Sequence, residues 1–204
     1  MTTLRAFIAV EIPPAIQPAI LHETESLRRA LGPDLVRWVP VENLHLTLKF
    51  LGDISSAHVD AICGMLTAEA ARFWPLPVGV GGLGAFPALR HGSGPTSKRV
   101  RVLWVGLDAP AELASLQHGI ESAAAKLGYE AEERPFSPHL TIGRVRQQVT
   151  ASDQQAIAKA LERTSVGALG EIEVTAVHLF KSELNRNGAV YTRLFSAPLN
   201  PNAT

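Results

Sequence analysis

His-Leu-Thr-Leu occupies residues 45–48 of this chain and His-Leu-Thr-Ile occupies residues 139–142, so a histidine and a threonine are twice separated by one apolar residue. This alternation predicts a β-strand with one face in a core and the other face toward a cleft. Residues two apart on a strand share a face, so the histidine and the threonine of each copy would lie together. Each strand would then place a titrating imidazole beside a hydroxyl donor.

The two motifs lie nearly half of the 204-residue chain apart, which predicts an internal duplication. Strands alternate with helices, yet several strands follow one another directly, as in 171–181 and 189–197, which Asn187-Gly188 would join as a hairpin. This order favours an α+β fold with mainly antiparallel sheets over a doubly wound parallel sheet. We expect one bilobal domain over residues 1–204, in which two pseudo-symmetric lobes, each an antiparallel sheet with helices packed outside, surround a central cleft.

Residues that favour turns and caps predict several boundaries of these elements. Gly52-Asp53 predicts a turn after the strand of the first motif. Ser152 predicts the N-cap of a helix over residues 152–163. The segment Arg90–Lys98 contains glycine, proline and polar residues, and we expect it to be an exposed loop.

The overall charge limits the nucleic-acid ligands that the chain could bind. Its 19 Lys and Arg residues balance 19 Asp and Glu residues, so there is no global positive field for long nucleic acid. A nucleic-acid ligand would be small or would meet local basic patches. The first apolar run is broken at Glu11 and is too short for a signal peptide or a membrane span, so we expect a soluble, cytoplasmic protein.

Two histidines on opposite walls of a cleft suit the cleavage of a phosphodiester. That reaction needs a base to activate the nucleophile, an acid on the departing oxygen and neutral donors on the non-bridging oxygens. An imidazole with an unperturbed pKa of about 6.5 can fill either proton role at neutral pH. His45 and His139 are therefore the candidate acid and base, and Thr47 and Thr141 are the candidate phosphate donors.

A metal site is the competing interpretation of the two histidines. Catalytic metals normally take three or more protein ligands, often including carboxylates, and neither motif has a neighbouring Asp or Glu. The single cysteine, Cys63, excludes an intramolecular disulfide and Cys-based zinc arrangements. We expect a reaction that needs no metal and no cofactor.

The two motifs, together with Leu-Arg-Ala-Phe-Ile-Ala-Val at 4–10 and Arg-Pro-Phe-Ser-Pro-His-Leu-Thr-Ile-Gly-Arg at 134–144, resemble a known family. They are similar to the two-histidine phosphoesterases and, more closely, to the RNA 2′,3′-cyclic phosphodiesterases, historically named 2′-5′ RNA ligases. The resemblance extends from Arg5 to the strand of Tyr191. It implies two pseudo-symmetric lobes and metal-independent hydrolysis of a 2′,3′-cyclic phosphate to a 2′-phosphate, and it allows weak, reversible 2′-5′ ligation.

The resemblance also implies roles for individual residues. His45 and His139 would be the acid/base pair, with His45 as the acid. Arg144 matches a family arginine near the substrate, and Phe7 matches an aromatic residue near the base. Strand parity places Arg144 on the core face, so it would reach the cleft only if the strand ends or twists at Gly143, where glycine permits a bulge. A phenylalanine in an apolar strand is more often part of the core.

The expected ligands are RNA ends or nucleotides that bear a 2′,3′-cyclic phosphate, with no membrane and no obligatory protein partner, and a monomer suffices. A noncatalytic module that binds RNA ends is one alternative. A phosphodiesterase for small cyclic nucleotides or 2′-5′ oligoadenylates is another. Titrating histidines in both motifs favour an enzyme, and the sequence leaves the physiological substrate open.

Overall fold

Both motifs lie in one antiparallel sheet. The computed structural model describes residues 3–88, 99–185 and 188–200, and within these ranges nine strands form the sheet. The strands are β1 Thr3–Glu11, β2 Val36–Trp38, β3 His45–Ser55, β4 Leu76–Phe86, β5 Val102–Asp108, β6 His139–Val145, β7 Ala168–Val174, β8 Ala176–Asn185 and β9 Gly188–Pro198. The helices are α1 Gln17–Leu35, α2 Val59–Ala70, α3 Ala111–Lys126 and α4 Ala151–Arg163.

The order of the strands shows two matched halves. The sheet runs β7-β4-β5-β6-β3-β1-β8-β9, and β2 pairs with β6. The strands β3 and β6, which carry the two motifs, are adjacent at the centre, and each of these strand pairings is antiparallel. The predicted α+β class with an antiparallel sheet is confirmed. The two halves are joined into a continuous sheet where Leu46 pairs with Leu140.

The helices cover one face of this sheet and enclose the main core. The apolar residues of the two motifs, Leu46, Leu48, Leu140 and Ile142, are at most 3% exposed and belong to this core, together with helix residues such as Ile120. A separate apolar cluster that contains Phe7, Ala9 and Phe180 lies on the other face of the sheet. The alternation predicted for the motif strands is therefore present, since their histidines and threonines lie opposite the core.

One predicted strand is wrong. The segment 171–181 is divided at Thr175 between β7, which pairs with β4, and β8, which pairs with β1. The chain thus passes from one half of the sheet to the other. The hydrophobic pattern continues through this crossing, so it gave no sign of a break. The predicted hairpin that follows is present as β8 and β9.

Three smaller predictions also differ from the structure. Gly52 and Asp53 do not end the strand but continue it, because Gly52 adopts a φ of 71° at an irregularity in the β1–β3 pairing. The cap of α4 is Thr150, two residues earlier than predicted, in a reciprocal capping box with Asp153. The predicted loop Arg90–Lys98 and the turn residue Asn187 lie outside the described residues.

Candidate active site

The central strand pair brings the two motifs together on the face away from the helices. Leu46 and Leu140 are direct partners in β3 and β6. By antiparallel register, the positions that flank this pair are His45 beside Thr141 and Thr47 beside His139, on the opposite face from the leucines. The local pseudo-two-fold axis passes through the leucine pair. All four predicted polar residues therefore lie at one place.

Both histidines are held in the same way by the backbone just before the motif. Nδ1 of His45 lies 2.8 Å from the Asn43 carbonyl oxygen, and Nδ1 of His139 lies 2.7 Å from the Ser137 carbonyl oxygen. A carbonyl oxygen only accepts, so each Nδ1 carries the hydrogen and donates it. Among residues 3–88, 99–185 and 188–200, neither Nε2 has a hydrogen-bond partner, so each can accept or donate a proton in the cleft.

Aromatic rings surround His45. Its ring centroid lies 4.8 Å from that of Phe7 and 5.3 Å from that of Tyr191, which approaches edge-on. Phe7 also stacks on Phe180 at 5.3 Å and is only 4% exposed. The predicted site residue Phe7 thus lies beside His45, the expected acid, and not beside the expected base as the resemblance implied. It supports the imidazole and has little surface left for a ligand.

His139 has a second aromatic wall in the other half of the sheet. The ring of Phe86 lies edge-on at 5.0 Å from His139, and the indole of Trp104 lies 6.4 Å away. Trp104 packs flat over Gly84, where a Cβ would lie only 2.2 Å from the indole. Glycine at position 84 therefore allows the indole to lie against the strand beside the site.

The predicted bulge before Arg144 is present. The β5 register passes from Leu103 opposite Gly143 to Trp104 opposite Thr141, so Ile142 has no register partner in the described strand β5. A Cβ on Gly143 would lie 2.6 Å from a Val36 methyl group, so this position faces the helix layer. Arg144 then falls on the cleft face, where strand parity alone would not have placed it.

Burial and positive charge lower the pKa of both histidines. For His45 and His139 the largest cause is burial, which disfavours the charged imidazolium. The Arg144 guanidinium lowers the pKa of both, and His139 further lowers that of His45. The backbone hydrogen bonds partly oppose these shifts. Arg144 therefore acts on both imidazoles and lies close to the expected position of a bound anion.

Phe50 is an exposed residue of the cleft that the sequence motifs did not indicate. Phe50 stands five residues after His45, as Arg144 stands five residues after His139, and both follow a bulge, here at Leu48. The Phe50 side chain is 63% exposed, and its ring centroid lies 6.3 Å from that of Phe7. Comparison of the fifth residue after each histidine would have identified Phe50 as the counterpart of Arg144.

Metal clusters and membrane-spanning helices are both absent from the described residues. In residues 3–88, 99–185 and 188–200, no group of three or more His, Cys, Asp or Glu side chains is arranged to hold a metal ion. No helix in these ranges combines the length and the apolar character needed to cross a membrane.

Comparison with known proteins agrees with this geometry. The chain is 30% identical to an RNA 2′,3′-cyclic phosphodiesterase of Methanothermobacter thermautotrophicus over 189 residues, which cover 93% of this chain and 95% of that protein. A crystal structure from Thermus thermophilus has a TM-score of 0.76 at 25% identity and covers 98% of this chain and 100% of its own. Escherichia coli LigT complexed with 3′-AMP has a TM-score of 0.70 at 27% identity, with 97% and 99% covered.

A family model also matches most of the chain. The model described as the 2′-5′ RNA ligase superfamily matches residues 12–186, which include both His-x-Thr motifs. This match confirms the family that the sequence motifs predicted, and this chain belongs to the 2′-5′ RNA ligase superfamily.

Proposed function

We propose that this protein is an RNA 2′,3′-cyclic phosphodiesterase, which hydrolyses a 2′,3′-cyclic phosphate end to a 2′-phosphate by acid/base catalysis between His45 and His139. The observation that carries the proposal is the two-fold arrangement of identical groups. Each imidazole is fixed through Nδ1 to a carbonyl oxygen two residues earlier, and each lies beside the threonine of the other motif. The names of the relatives support the same chemistry.

The geometry supports a balanced two-proton mechanism. The cyclic phosphate would lie between the histidines, with the Thr47 and Thr141 hydroxyls donating to its non-bridging oxygens. Nε2 of one neutral histidine takes a proton from water as the water oxygen bonds to phosphorus. The bond from phosphorus to O3′ breaks, and the second histidine, protonated at Nε2, gives its proton to O3′. Exchange with solvent then restores both protonation states.

The surroundings of the two imidazoles support His139 as the base and His45 as the acid. His45 is enclosed by Phe7 and Tyr191, whereas His139 lies in a less buried position with an aromatic wall of Phe86 and Trp104. A base that activates water must be reached by water. An acid that protonates a sugar oxygen needs only the substrate. If a ribose 5′-hydroxyl attacked phosphorus in place of water, the same break of the bond from phosphorus to O3′ would give a 2′-5′ phosphodiester, which is the weak, reversible ligation that this site would support.

Arg144 and Phe50 complete the proposed substrate site. The guanidinium of Arg144 lowers the pKa of both histidines, so a bound phosphate anion would partly offset its charge and favour the protonated acid. Phe50 presents an exposed ring at the matching position of the other half. A nucleobase stacks well on such a ring. Nucleotides that carry a cyclic phosphate therefore fit the proposed site.

We also propose the organisation in which this enzyme works. The two halves share one sheet and contribute one motif each, so the whole chain would act as a single bilobal domain. Both motifs come from the same chain, and the site needs no residue from a second copy. We expect a cytoplasmic monomer without an obligatory protein partner, metal or cofactor.

A substrate panel tests the proposed function. It contains 2′,3′-cyclic mononucleotides, oligoribonucleotides with cyclic ends, ADP-ribose cyclic phosphate and 2′-5′ oligoadenylates, assayed in excess EDTA with products located by ³¹P NMR. We expect 2′-phosphate products from the cyclic ends, with activity lost in His45→Ala and His139→Ala. His118→Ala, on the exposed face of α3, is the control and should retain full activity. Formation of 3′-phosphates, or activity that EDTA abolishes and a divalent ion restores, would contradict the proposal.

A further inference from the structure

Two arginines face each other directly next to the proposed site. Arg37 in β2 is the register partner of Arg144 in β6. Like charges at directly opposed positions of an antiparallel pair destabilise it. The fold does not require arginine at position 37, because this side chain is exposed. The pair therefore indicates a function that needs two adjacent positive charges.

The two arginine side chains lie on the same face as the catalytic histidines. Val36 is fully buried, and the Trp38 indole donates to the Gly32 carbonyl oxygen of α1, so both neighbours of Arg37 face the helix layer. Arg37 must then face the cleft side. Arg144 reaches that side through the bulge at Gly143.

In the described residues, Arg37 and Arg144 have no carboxylate partner, so a structural ion pair does not account for either arginine. Within residues 3–88, 99–185 and 188–200, Arg37 and Arg144 form no ion pair with a carboxylate. Nε of Arg146 donates to the Pro33 carbonyl oxygen at 2.8 Å, and no ion pair of its guanidinium with a carboxylate occurs in the described part of the chain.

These three arginines line one groove, which shares Arg144 with the proposed site. The groove has a volume of about 680 Å³, which is in the range of pockets that hold small molecules, and Arg144 belongs to both the groove and the site. Asp34 and Asp153 also line it, but Asp153 accepts from the Thr150 backbone N–H and hydroxyl in the cap of α4. A strand has two edges, and β5 occupies one edge of β6. The strands β3 and β2 therefore lie one after the other along the other edge of β6, so Arg37 lies on the same edge as the motif of β3.

We propose that this arginine groove, formed by Arg37, Arg144 and Arg146, binds the phosphodiester backbone of an RNA chain on the 5′ side of the cyclic end. The proposal rests on the proposed function and makes an oligonucleotide, rather than a mononucleotide, the preferred substrate. The chain has no net charge to attract a polyanion, so attraction must come from local unpaired cations. Guanidinium groups bind phosphate oxygens in bidentate fashion, and a bound backbone would relieve the repulsion between Arg37 and Arg144.

Arg37→Gln tests this groove without altering the proposed catalytic residues. The kcat/KM values are measured for a 2′,3′-cyclic mononucleotide and for a pentanucleotide that ends in the same cyclic nucleotide. We expect kcat/KM for the pentanucleotide to fall about tenfold, the effect of one charge-assisted contact, while the value for the mononucleotide is unchanged. The slope of log kcat/KM against log salt for the pentanucleotide should become shallower by about 0.7, as for one lost contact to a single strand. Arg37→Lys should recover part of the loss, and Arg163→Gln, an exposed arginine of α4, should change neither substrate.

A change in the substrate separates phosphate contact from a structural effect. Wild type and Arg37→Gln are compared on a set of pentanucleotides in which one internal phosphate at a time is an uncharged methylphosphonate. We expect the two proteins to become equivalent when the contacted phosphate is replaced. Equal losses on mononucleotide and pentanucleotide, or no loss on either, would refute the groove while leaving the proposed function intact.

Failure of the proposed function itself would give a different result. In that case the wild type would hydrolyse neither cyclic substrate. Binding of a fluorescent pentanucleotide with a 2′-phosphate end would then test RNA binding by the groove independently of catalysis. Weaker binding by Arg37→Gln than by Arg163→Gln would support it, and equal binding would refute it.

Discussion

Leu46 and Leu140 pair across the line where the two halves of the sheet meet, directly behind the proposed catalytic groups. Both side chains are buried in the main core, at 1% and 0% exposure. Because one pairing sets the register, it also sets which histidine lies beside which threonine. The spacing of the site is thus a property of the central sheet, and this favours a rigid arrangement over one made by mobile loops.

Replacement of either histidine should reduce turnover much more than binding. We expect kcat of His45→Ala and of His139→Ala to fall by about 10² to 10⁴, the usual contribution of one proton transfer, with KM changed little. A phosphodiester with nitrophenol as leaving group distinguishes the two roles. It should restore activity to His45→Ala, which lacks the acid, and not to His139→Ala. Rescue of the His139 variant alone would reverse the assignment.

The pH at which kcat/KM is highest should lie on the acid side of the ordinary histidine pKa. The proposed mechanism needs one neutral and one protonated histidine, which gives a bell-shaped dependence of kcat/KM on pH. Since burial and Arg144 lower the pKa of both His45 and His139, the maximum should lie below the ordinary histidine value of about 6.5. Removing a positive charge makes each imidazolium easier to form and so raises both pKa values. Arg144→Gln should therefore move both limbs to higher pH, as measured with a mononucleotide, and unmoved limbs would contradict the placement of Arg144.

The two threonines should contribute about equally. Thr47→Val and Thr141→Val keep the shape of the side chain and remove the hydroxyl donor. The loss of one such donor to a developing phosphate charge should lower kcat by about 10² to 10³. Thr47→Ser and Thr141→Ser retain the hydroxyl and should recover most of the rate. An effect confined to one threonine would contradict the two-fold arrangement.

Phe50 should influence substrate binding through the nucleobase. Stacking of one base on an aromatic ring contributes about 1–3 kcal/mol, so Phe50→Ala should raise KM by about fivefold to 150-fold with kcat nearly unchanged. Phe50→Trp should retain the affinity. An abasic ribose 2′,3′-cyclic phosphate provides the matched comparison, because its KM should be the same for wild type and Phe50→Ala. A larger KM for the variant on this substrate would assign Phe50 a structural role.

The alternation of apolar and polar residues predicted which face of the sheet each side chain of the motif strands occupies. It did not predict which strands pair with one another. The alternation in 45–48 and 139–142 correctly separated His45 and His139 from the core, because a strand repeats every two residues. The same alternation runs through Thr175, where the chain leaves one half of the sheet for the other. Strand pairing depends on contacts between distant residues, so neither this break nor the Leu46–Leu140 pair had a local signal. The bulge that turns Arg144 into the cleft was indicated by Gly143, since glycine is common at such positions.

A buried ion pair between Lys49 and Glu121 should stabilise the fold and hold the segment that precedes His139. Lys49 is 5% exposed, and its ammonium group contacts a carboxylate oxygen of Glu121 and the carbonyl oxygen of Glu130, while Glu121 also accepts from the Glu132 backbone N–H. Removing one member of such a pair leaves an unpaired buried charge and costs about 3–5 kcal/mol. Lys49→Met should lower the free energy of unfolding in urea by this amount.

The double variant Lys49→Met/Glu121→Gln tests the cause of that loss. It removes both charges, so it should regain part of the stability that Lys49→Met loses, whereas independent effects would add. Glu25→Gln, which removes the carboxylate of an exposed pair with Arg29 on α1, is the control and should change the free energy of unfolding by less than about 1 kcal/mol. If Lys49→Met lowered the free energy of unfolding by no more than this control, the contacts between Lys49, Glu121 and the segment before His139 would not contribute to the stability of the fold.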